Sequence, residues 1–377
     1  MHAIILAAGE GSRLRPFTAD KPKPMIRVGN KPLVQHALEA LVANGVRDVT
    51  VVLGYQRAKV QSHLGDGQRW GARIRYAFQD VLSGTASALA LAPPPPGPFL
   101  VLGGDNLVDA AAIKSILGAP GSGPALVVDR AADPRRYGVV TLRNGQVGAI
   151  DEKPRDPASE WVNTGLYRFP AAFHGEVQRA VAQGATGIPE ILQARVAGGE
   201  PVAAVRNEGL WADAVYPWDL LRIHQAILRH GGARSFEAKG VSAEAPILVG
   251  DDVTFGPNVV LGAGTCIGDN VHVGANSVLE GCVLYDDVQV GPLCYLSNAV
   301  VGEGARLGPR VTALSGPASH RTPEGWLDLD EAGAILGGDA RVDGGATLAP
   351  GVVVGNRARI AAGRFVNESL PDDARVV

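Results

Sequence analysis

The chain has 377 residues, 46% of them hydrophobic and 19% charged, with a formal net charge of −3 at pH 7. That is the composition of a globular protein with room for two domains, and its slightly acidic balance argues against a nucleic-acid partner, which would call for a concentrated basic face. No run approaches the roughly 18 apolar residues of a membrane span, and the N-terminus lacks the apolar core of a signal peptide, so no membrane association and a cytoplasmic location are expected. The three cysteines, Cys266, Cys282 and Cys294, sit among apolar positions without paired metal spacing and read as reduced packing residues.

In chain order, residues 1 to about 225 alternate apolar strand-like runs with helical segments, the pattern of a doubly wound α/β sheet. The first run, Ala3-Ile4-Ile5-Leu6, leads into LAAGEGSRLRPFTADKPKPM at residues 6–25, and a helical pattern starts near Pro32. A Gly-rich turn between strand and helix offers backbone N–H groups to an anion. Here Arg13, Arg15, Lys21 and Lys23 add positive charge, and prolines hold the lysine segment extended. A polyphosphate substrate is expected. The dinucleotide fingerprint G-x-G-x-x-G fails at Leu14, and the P-loop pattern is absent. Further strands are expected at residues 49–53 and 99–102, the latter approached by the rigid PPPPGP at 93–98. In such sheets ligands gather at the carboxyl ends of the strands. Gln79 follows the apolar run 74–78 and stands before Gly84-Thr85; its amide sets a donor beside an acceptor, matching N3–H and the adjacent carbonyl of uracil or thymine, whereas a Glu would suit guanine. Asp105 ends the 99–102 strand in Gly103-Gly104-Asp105-Asn106, where a carboxylate facing a triphosphate is a natural Mg²⁺ ligand.

After a helical segment at 218–230 and a Gly-containing linker the pattern changes. Gly250, Gly256, Gly262, Gly268 and Gly274 recur every six residues, each preceded by an apolar residue: Val249, Phe255, Leu261, Ile267 and Val273. The rhythm slips near Gly281, continues through Val290, Leu296, Val301 and Leu307, and returns as Leu336, Val342, Leu348, Val354, Ile360 and Val366. Such a period predicts a parallel β-helix with one apolar residue per hexad turned inward. Residues 312–334 interrupt it with an excursion of the kind that often serves binding.

Leu6, Ala7, Gly9, Gly11, Arg13, Leu14, Lys23 and Pro24 together resemble the L-A-x-G-x-G-x-R-L and K-P signature of the sugar-1-phosphate nucleotidylyltransferases, and the repeats resemble the left-handed hexapeptide β-helix that follows such domains in prokaryotic members. The resemblance implies a Rossmann-like nucleotidyltransferase α/β domain at 1–230, a linker at 231–245 and an all-β left-handed parallel β-helix at 246–377. It implies transfer of a nucleotidyl group from UTP or dTTP to glucose 1-phosphate or N-acetylglucosamine 1-phosphate, with Mg²⁺ as cofactor and pyrophosphate as the second product. Arg13 and Lys23 would be catalytic; Leu6, Ala8, Gly9, Gly11, Gln79, Gly84 and Thr85 would bind the nucleotide. In the family's Y-G-x-[VI], E-K-P and N-T-G motifs, Gly138, Glu152, Lys153 and Asn163 would bind the sugar phosphate, with Asn163 leaning towards an amino sugar. Asp213, in a W-x-D segment, would join Asp105 on the metal. The β-helix implies a homo-oligomer, a trimer or a multiple of it. Two other readings follow from the family. One is an acetyl-CoA-dependent acyltransferase in the β-helix, but Pro292 and Leu314 stand where its His and Asn would be, leaving His320 as a substitute. The other is a non-catalytic nucleotide-sugar-binding regulator.

Overall fold

The apolar run at the N-terminus forms the strand His2–Ala7, and its alternation organises the layers around it. Side chains of a strand point alternately to opposite faces. Ala3, Ile5 and Ala7 accordingly enter one buried cluster while Ile4 enters another. Both faces are covered, so nearly every position of the strand is apolar.

The computed structural model describes residues 1–232, 236–322 and 325–377. Its first compact unit comprises Met1–Glu10, Pro22–Met25 and Pro32–Asp213. A nine-stranded sheet runs through it in the order Arg73–Phe78, Asp48–Leu53, His2–Ala7, Phe99–Gly103, Trp161–Phe169, Ala125–Arg130, Ala203–Arg206, Gln146–Glu152, Gly138–Arg143. The first four are parallel, as a doubly wound sheet requires. Trp161–Phe169 then runs antiparallel to its neighbours, which makes the far half of the sheet mixed. On one face pack the helices Leu33–Ala43, Arg57–Leu64 and Ala110–Leu117; on the other Thr85–Leu91, Ala172–Ala182 and Ile188–Ala197. The PPPPGP segment leads directly into Phe99–Gly103.

The second unit comprises Gly11–Lys21, Ile26–Lys31 and Ala214–Val377. The helix expected at 218–230 forms as Asp219–Ile227, prolonged by the turn Leu228–Gly232. Of the segment 231–245, residues 233–235 lie outside the described residues, and its end carries the strand Val241–Ala243, the first of the coil. Three parallel sheets of seven, six and seven strands follow, the architecture of a parallel β-helix. All the hexad residues named from the sequence face inward: thirteen belong to the buried core and Val249 and Phe255 pack against it. The slip near Gly281 has a geometric cause. Leu248 pairs with Cys266 but Cys266 pairs with Val283, so the coil shortens from eighteen to seventeen residues. Tyr295 and Val300 bracket the next turn of the same corner, again with one residue fewer than a hexad allows.

The excursion expected at 312–334 is shorter than that: Thr312–Ala313 is still a strand of the coil and Ala334 is in its core, and what leaves from that corner is the hairpin of Gly316–Thr322 with Gly325–Ala332. His320, expected to be a solvated loop residue if not an acyl-transfer base, instead stacks on Trp218 with ring centroids 4.3 Å apart, and burial lowers its pKa. Among the described residues no helix is long and apolar enough to cross a membrane.

Candidate active site

The carboxyl ends of the four parallel strands open on a pocket of about 310 Å³ in the first unit, walled by the Leu6-Ala7-Ala8-Gly9 turn, Gln79, Gly84-Thr85 and Asp105. Backbone bonds weld these turns together. Gln79 N donates to Leu53 O at 2.7 Å, Tyr55 N to Ala8 O at 3.1 Å and Gly104 N to Leu6 O at 2.8 Å. Gly84 is required where it stands: its φ is +105°, and a Cβ there would collide with Thr186 O. Thr85 follows it as the first residue of a helix and accepts a bond from Ile188 N at 3.0 Å. The Gln79 side chain is 4% exposed and its Nε2 donates to Gly84 O at 3.2 Å, which fixes the amide's orientation across the pocket floor.

Beside this pocket lies a cluster of one ammonium and two carboxylates. Asp105 sits in the turn between Phe99–Gly103 and Asn106–Val108, and Asp213 ends the strand Trp211–Asp213, which pairs with Asn106–Val108 so that Asp213 faces Asn106. Lys23 Nζ approaches Asp213 Oδ1 at 2.6 Å and Asp105 Oδ2 at 3.1 Å. Burial of Lys23 opposes its charge, but the two carboxylates outweigh that effect and hold its pKa above the ordinary value. Lys23 is therefore a cation at any physiological pH, and both carboxylates aim at the volume it occupies. Two carboxylates converging beside a pocket are the donor set of a hard divalent cation that takes its remaining ligands from phosphate oxygens and water.

The residues expected from the sequence to bind the sugar phosphate form a second group. Gly138 pairs with Glu152, and a Cβ on Gly138 would come within 2.9 Å of Glu152 Oε2. Lys153 adopts a φ of +50° and bonds Tyr137 O through its backbone at 3.0 Å, leaving its half-exposed side chain 3.8 Å from Glu152. The Asn163 amide is engaged within the chain: Nδ2 donates to Tyr167 Oη at 2.7 Å and Oδ1 accepts from Gly165 N at 3.0 Å. Gly11 and Arg13 belong to the second unit, where Gly11, at φ +74°, precedes the single 3-10 turn Ser12–Leu14.

One residue at the site, Tyr167, has no counterpart in the sequence reading, and Asn106, Thr164 and Trp211 entered it only as members of motifs without a role of their own. Tyr167 and Asn106 line the pocket, and Thr164 O collects bonds from Asn106 Nδ2 at 3.3 Å and Trp211 Nε1 at 3.0 Å. Tyr167 is buried, which drives its phenol pKa up. Only its neighbourhood to the N-T-G motif could have pointed to it.

Comparison with known proteins gives matches over both parts of the chain. The family model described as nucleotidyl transferase matches residues 2–230, and the one described as GMPPB C-terminal domain matches 243–316. A glucose-1-phosphate thymidylyltransferase of Streptomyces antibioticus is 29% identical, covering 85% of this chain and 96% of its own length. A UTP--glucose-1-phosphate uridylyltransferase of Haloferax volcanii is 35% identical over 227 residues, 58% of this chain and 93% of that protein. Among solved structures, a putative glucose-1-phosphate thymidylyltransferase of Bacillus anthracis in complex with sucrose superposes with a TM-score of 0.56 at 27% identity, over 63% of this chain and 98% of its own.

Proposed function

The chain belongs to the nucleotidyl transferase family, and from that premise we propose that it joins a pyrimidine nucleoside triphosphate, UTP or dTTP, to glucose 1-phosphate, releasing pyrophosphate. The observation that carries the reading is the Lys23, Asp105, Asp213 cluster beside a pocket whose floor is the Gln79 amide. Glucose is preferred over its N-acetylamino analogue because the similar thymidylyltransferase and uridylyltransferase are both named for glucose 1-phosphate.

In the reaction a phosphate oxygen of the sugar 1-phosphate attacks the α-phosphorus, a new P–O bond forms, and the bond to the β-phosphate oxygen breaks with its electron pair leaving on pyrophosphate. The nucleophile is already an anion, so no general base is needed, and alignment and charge neutralisation are the protein's task. Gln79 reads the base; the turn at Gly9, with Leu6 and Ala8, and Gly84 and Thr85 enclose the nucleotide. Gly11 and Arg13 bind the triphosphate, and Lys23 brings permanent positive charge to the reacting phosphates. Gly138 permits close approach of the sugar, Glu152 accepts from its hydroxyls and Lys153 holds its phosphate. Asp105 and Asp213 would hold Mg²⁺, whose chemistry when bound is to neutralise phosphate charge.

Assembly through the β-helix is part of the same reading. Val260, Tyr295 and Phe365 are exposed and stand in one register column, Val260, Val278, Tyr295, Thr312, Thr347, Phe365, along a single sheet. An apolar strip of that kind suits contact with a second copy. The catalytic assignment is tested by replacing Lys23 with Ala and following pyrophosphate release in Mg²⁺. Turnover should fall by about 100-fold or more with the fold retained; near wild-type turnover would remove Lys23 from the mechanism.

A further inference from the structure

The two stretches that flank Lys23 in sequence, Gly11–Lys21 and Ile26–Lys31, both belong to the β-helix unit. Each is fastened to the coil by polar bonds. On the first, Lys21 Nζ meets Glu303 Oε2 at 2.5 Å, Asn356 Nδ2 donates to Pro16 O at 3.0 Å, and the Phe17 ring lies 5.5 Å from that of Tyr285. Thr18 Oγ1 bonds back to Gly11 O at 2.8 Å, so the anchored half of the stretch is tied to the half that carries Gly11 and Arg13. On the second, Tyr285 Oη donates to Arg27 O at 2.9 Å, and the Arg27 guanidinium pairs with Asp269 at 3.0 Å and with Asp286. Asn30 Nδ2 donates to Ile267 O at 2.8 Å. Tyr285 thus serves both stretches.

Asn356 is the most deliberate of these contacts. It is 8% exposed, its Oδ1 accepts from Gly338 N at 2.7 Å, and its Nδ2 also reaches Asp372 at 3.1 Å. The coil's own backbone therefore dictates which side of the amide is carbonyl, leaving the NH₂ side directed at Pro16 O. Buried polar groups are costly unless satisfied, and the second N–H of this amide is satisfied only with the 11–21 stretch in place.

We propose that the β-helix is the positioning frame of the nucleotide loop, with Asn356 and Glu303 as positioning residues that hold Gly11 and Arg13 ready for a triphosphate. The inference rests on the nucleotidyl-transfer reading given above. A loop held in advance costs no ordering entropy when the nucleotide arrives, whereas a released loop must be ordered by the ligand, and that cost comes out of affinity. Release should therefore weaken the nucleotide selectively and leave the sugar phosphate almost untouched.

The test uses full-length protein, with wild type compared against Asn356→Ala, Glu303→Lys, and Glu303→Lys combined with Lys21→Glu. KM for dTTP and UTP, KM for glucose 1-phosphate, kcat and the thermal midpoint are read for each, and nucleotide affinity is measured separately by calorimetry. Loss of the Asn356 bond should raise the nucleotide KM about 10-fold and Glu303→Lys about 5-fold, with the sugar-phosphate KM within about 2-fold of wild type. The exchanged charge pair should return the nucleotide KM to within about 2-fold, which a substrate-touching Lys21 would not permit. Equal changes in both KM values, no change in either, or an exchanged pair no better than the single variant would overturn the proposal. Should Asn356→Ala fail to fold, the variants of the partly exposed Lys21 and the exposed Glu303 still decide it. A wild type that releases no pyrophosphate strikes the parent reading instead, and the calorimetric nucleotide affinities then judge the frame on their own.

Discussion

Lys23 keeps its charge although it is buried, because Asp105 and Asp213 stand on either side of it. Taking away one carboxylate leaves the ammonium half-compensated, so Asp213→Asn should reduce activity about 100-fold and also weaken the Mg²⁺ dependence, read from a titration of turnover against the metal. Gln79 is tested by charge: a Glu there would set a carboxylate against Gly84 O, and kcat/KM with UTP or dTTP should fall by about 10-fold to 100-fold. The thiols of Cys266 and Cys282 are both pushed up to about 12 by burial, and burial raises Cys294 as well. A thiol-specific dye should find none of the three reactive at pH 8 until the chain is denatured. The folded values lie above the unfolded thiol value of about 8.5, so the stabilisation from neutral thiols is complete below that pH and is lost as pH rises towards 12. Gln79 and Asp105 could be placed at the carboxyl edge of the sheet from the sequence because a strand end followed by a polar group is a local pattern, whereas Lys23, in the turn Lys23–Met25, was singled out only by the K-P signature. Tyr167 was not, since its place at the pocket depends on the irregular register between Asn163 and Tyr167, which no periodicity announces.

The hexad rhythm made the β-helix legible strand by strand, because one large apolar residue per six must turn inward. A second inward position went unread. Ala299, Ala305, Ala334, Ala340, Ala346 and Ala358 are all buried two residues before a large hexad residue, and Cys282 and Cys294 hold the same place. Small residues carry little hydrophobic signal, so only the coil's corners reveal them. Those corners also use the left-handed region, mostly through Asn and Asp, but Leu293 adopts a φ of +62° while 55% exposed. That conformation costs an L-residue about 1–2 kcal/mol, so Leu293→Asn should raise stability by about 1 kcal/mol in chemical denaturation. On another sheet Arg306, Arg341, Arg359 and Arg375 stack in register on the exposed surface. Like charges directly opposite one another repel, so Arg359→Thr should stabilise the protein by about 0.5 kcal/mol at low salt, and the gain should shrink as salt rises.

At the scale of the whole molecule, the composition and the change from alternating strands and helices to hexads announced two kinds of architecture. The assignment of Gly11–Lys21 and Ile26–Lys31 to the β-helix unit was not announced, since it rests on contacts such as Asn356 with Pro16, 340 positions apart. The apolar column of Val260, Tyr295 and Phe365 predicts that the full chain sediments as an oligomer and that Phe365→Lys shifts it towards monomer; a wild-type monomer at micromolar concentration would remove that face as an interface. The proposed chemistry is nucleotidyl transfer to a sugar 1-phosphate at the Lys23, Asp105 and Asp213 cluster. The most direct measurement is pyrophosphate release in Mg²⁺, crossing glucose 1-phosphate and N-acetylglucosamine 1-phosphate with each common nucleoside triphosphate, for wild type beside Lys23→Ala. Release with glucose 1-phosphate and UTP or dTTP, abolished by the substitution, is the predicted result; no release with any pair, or release that is indifferent to base and to Lys23, would contradict it.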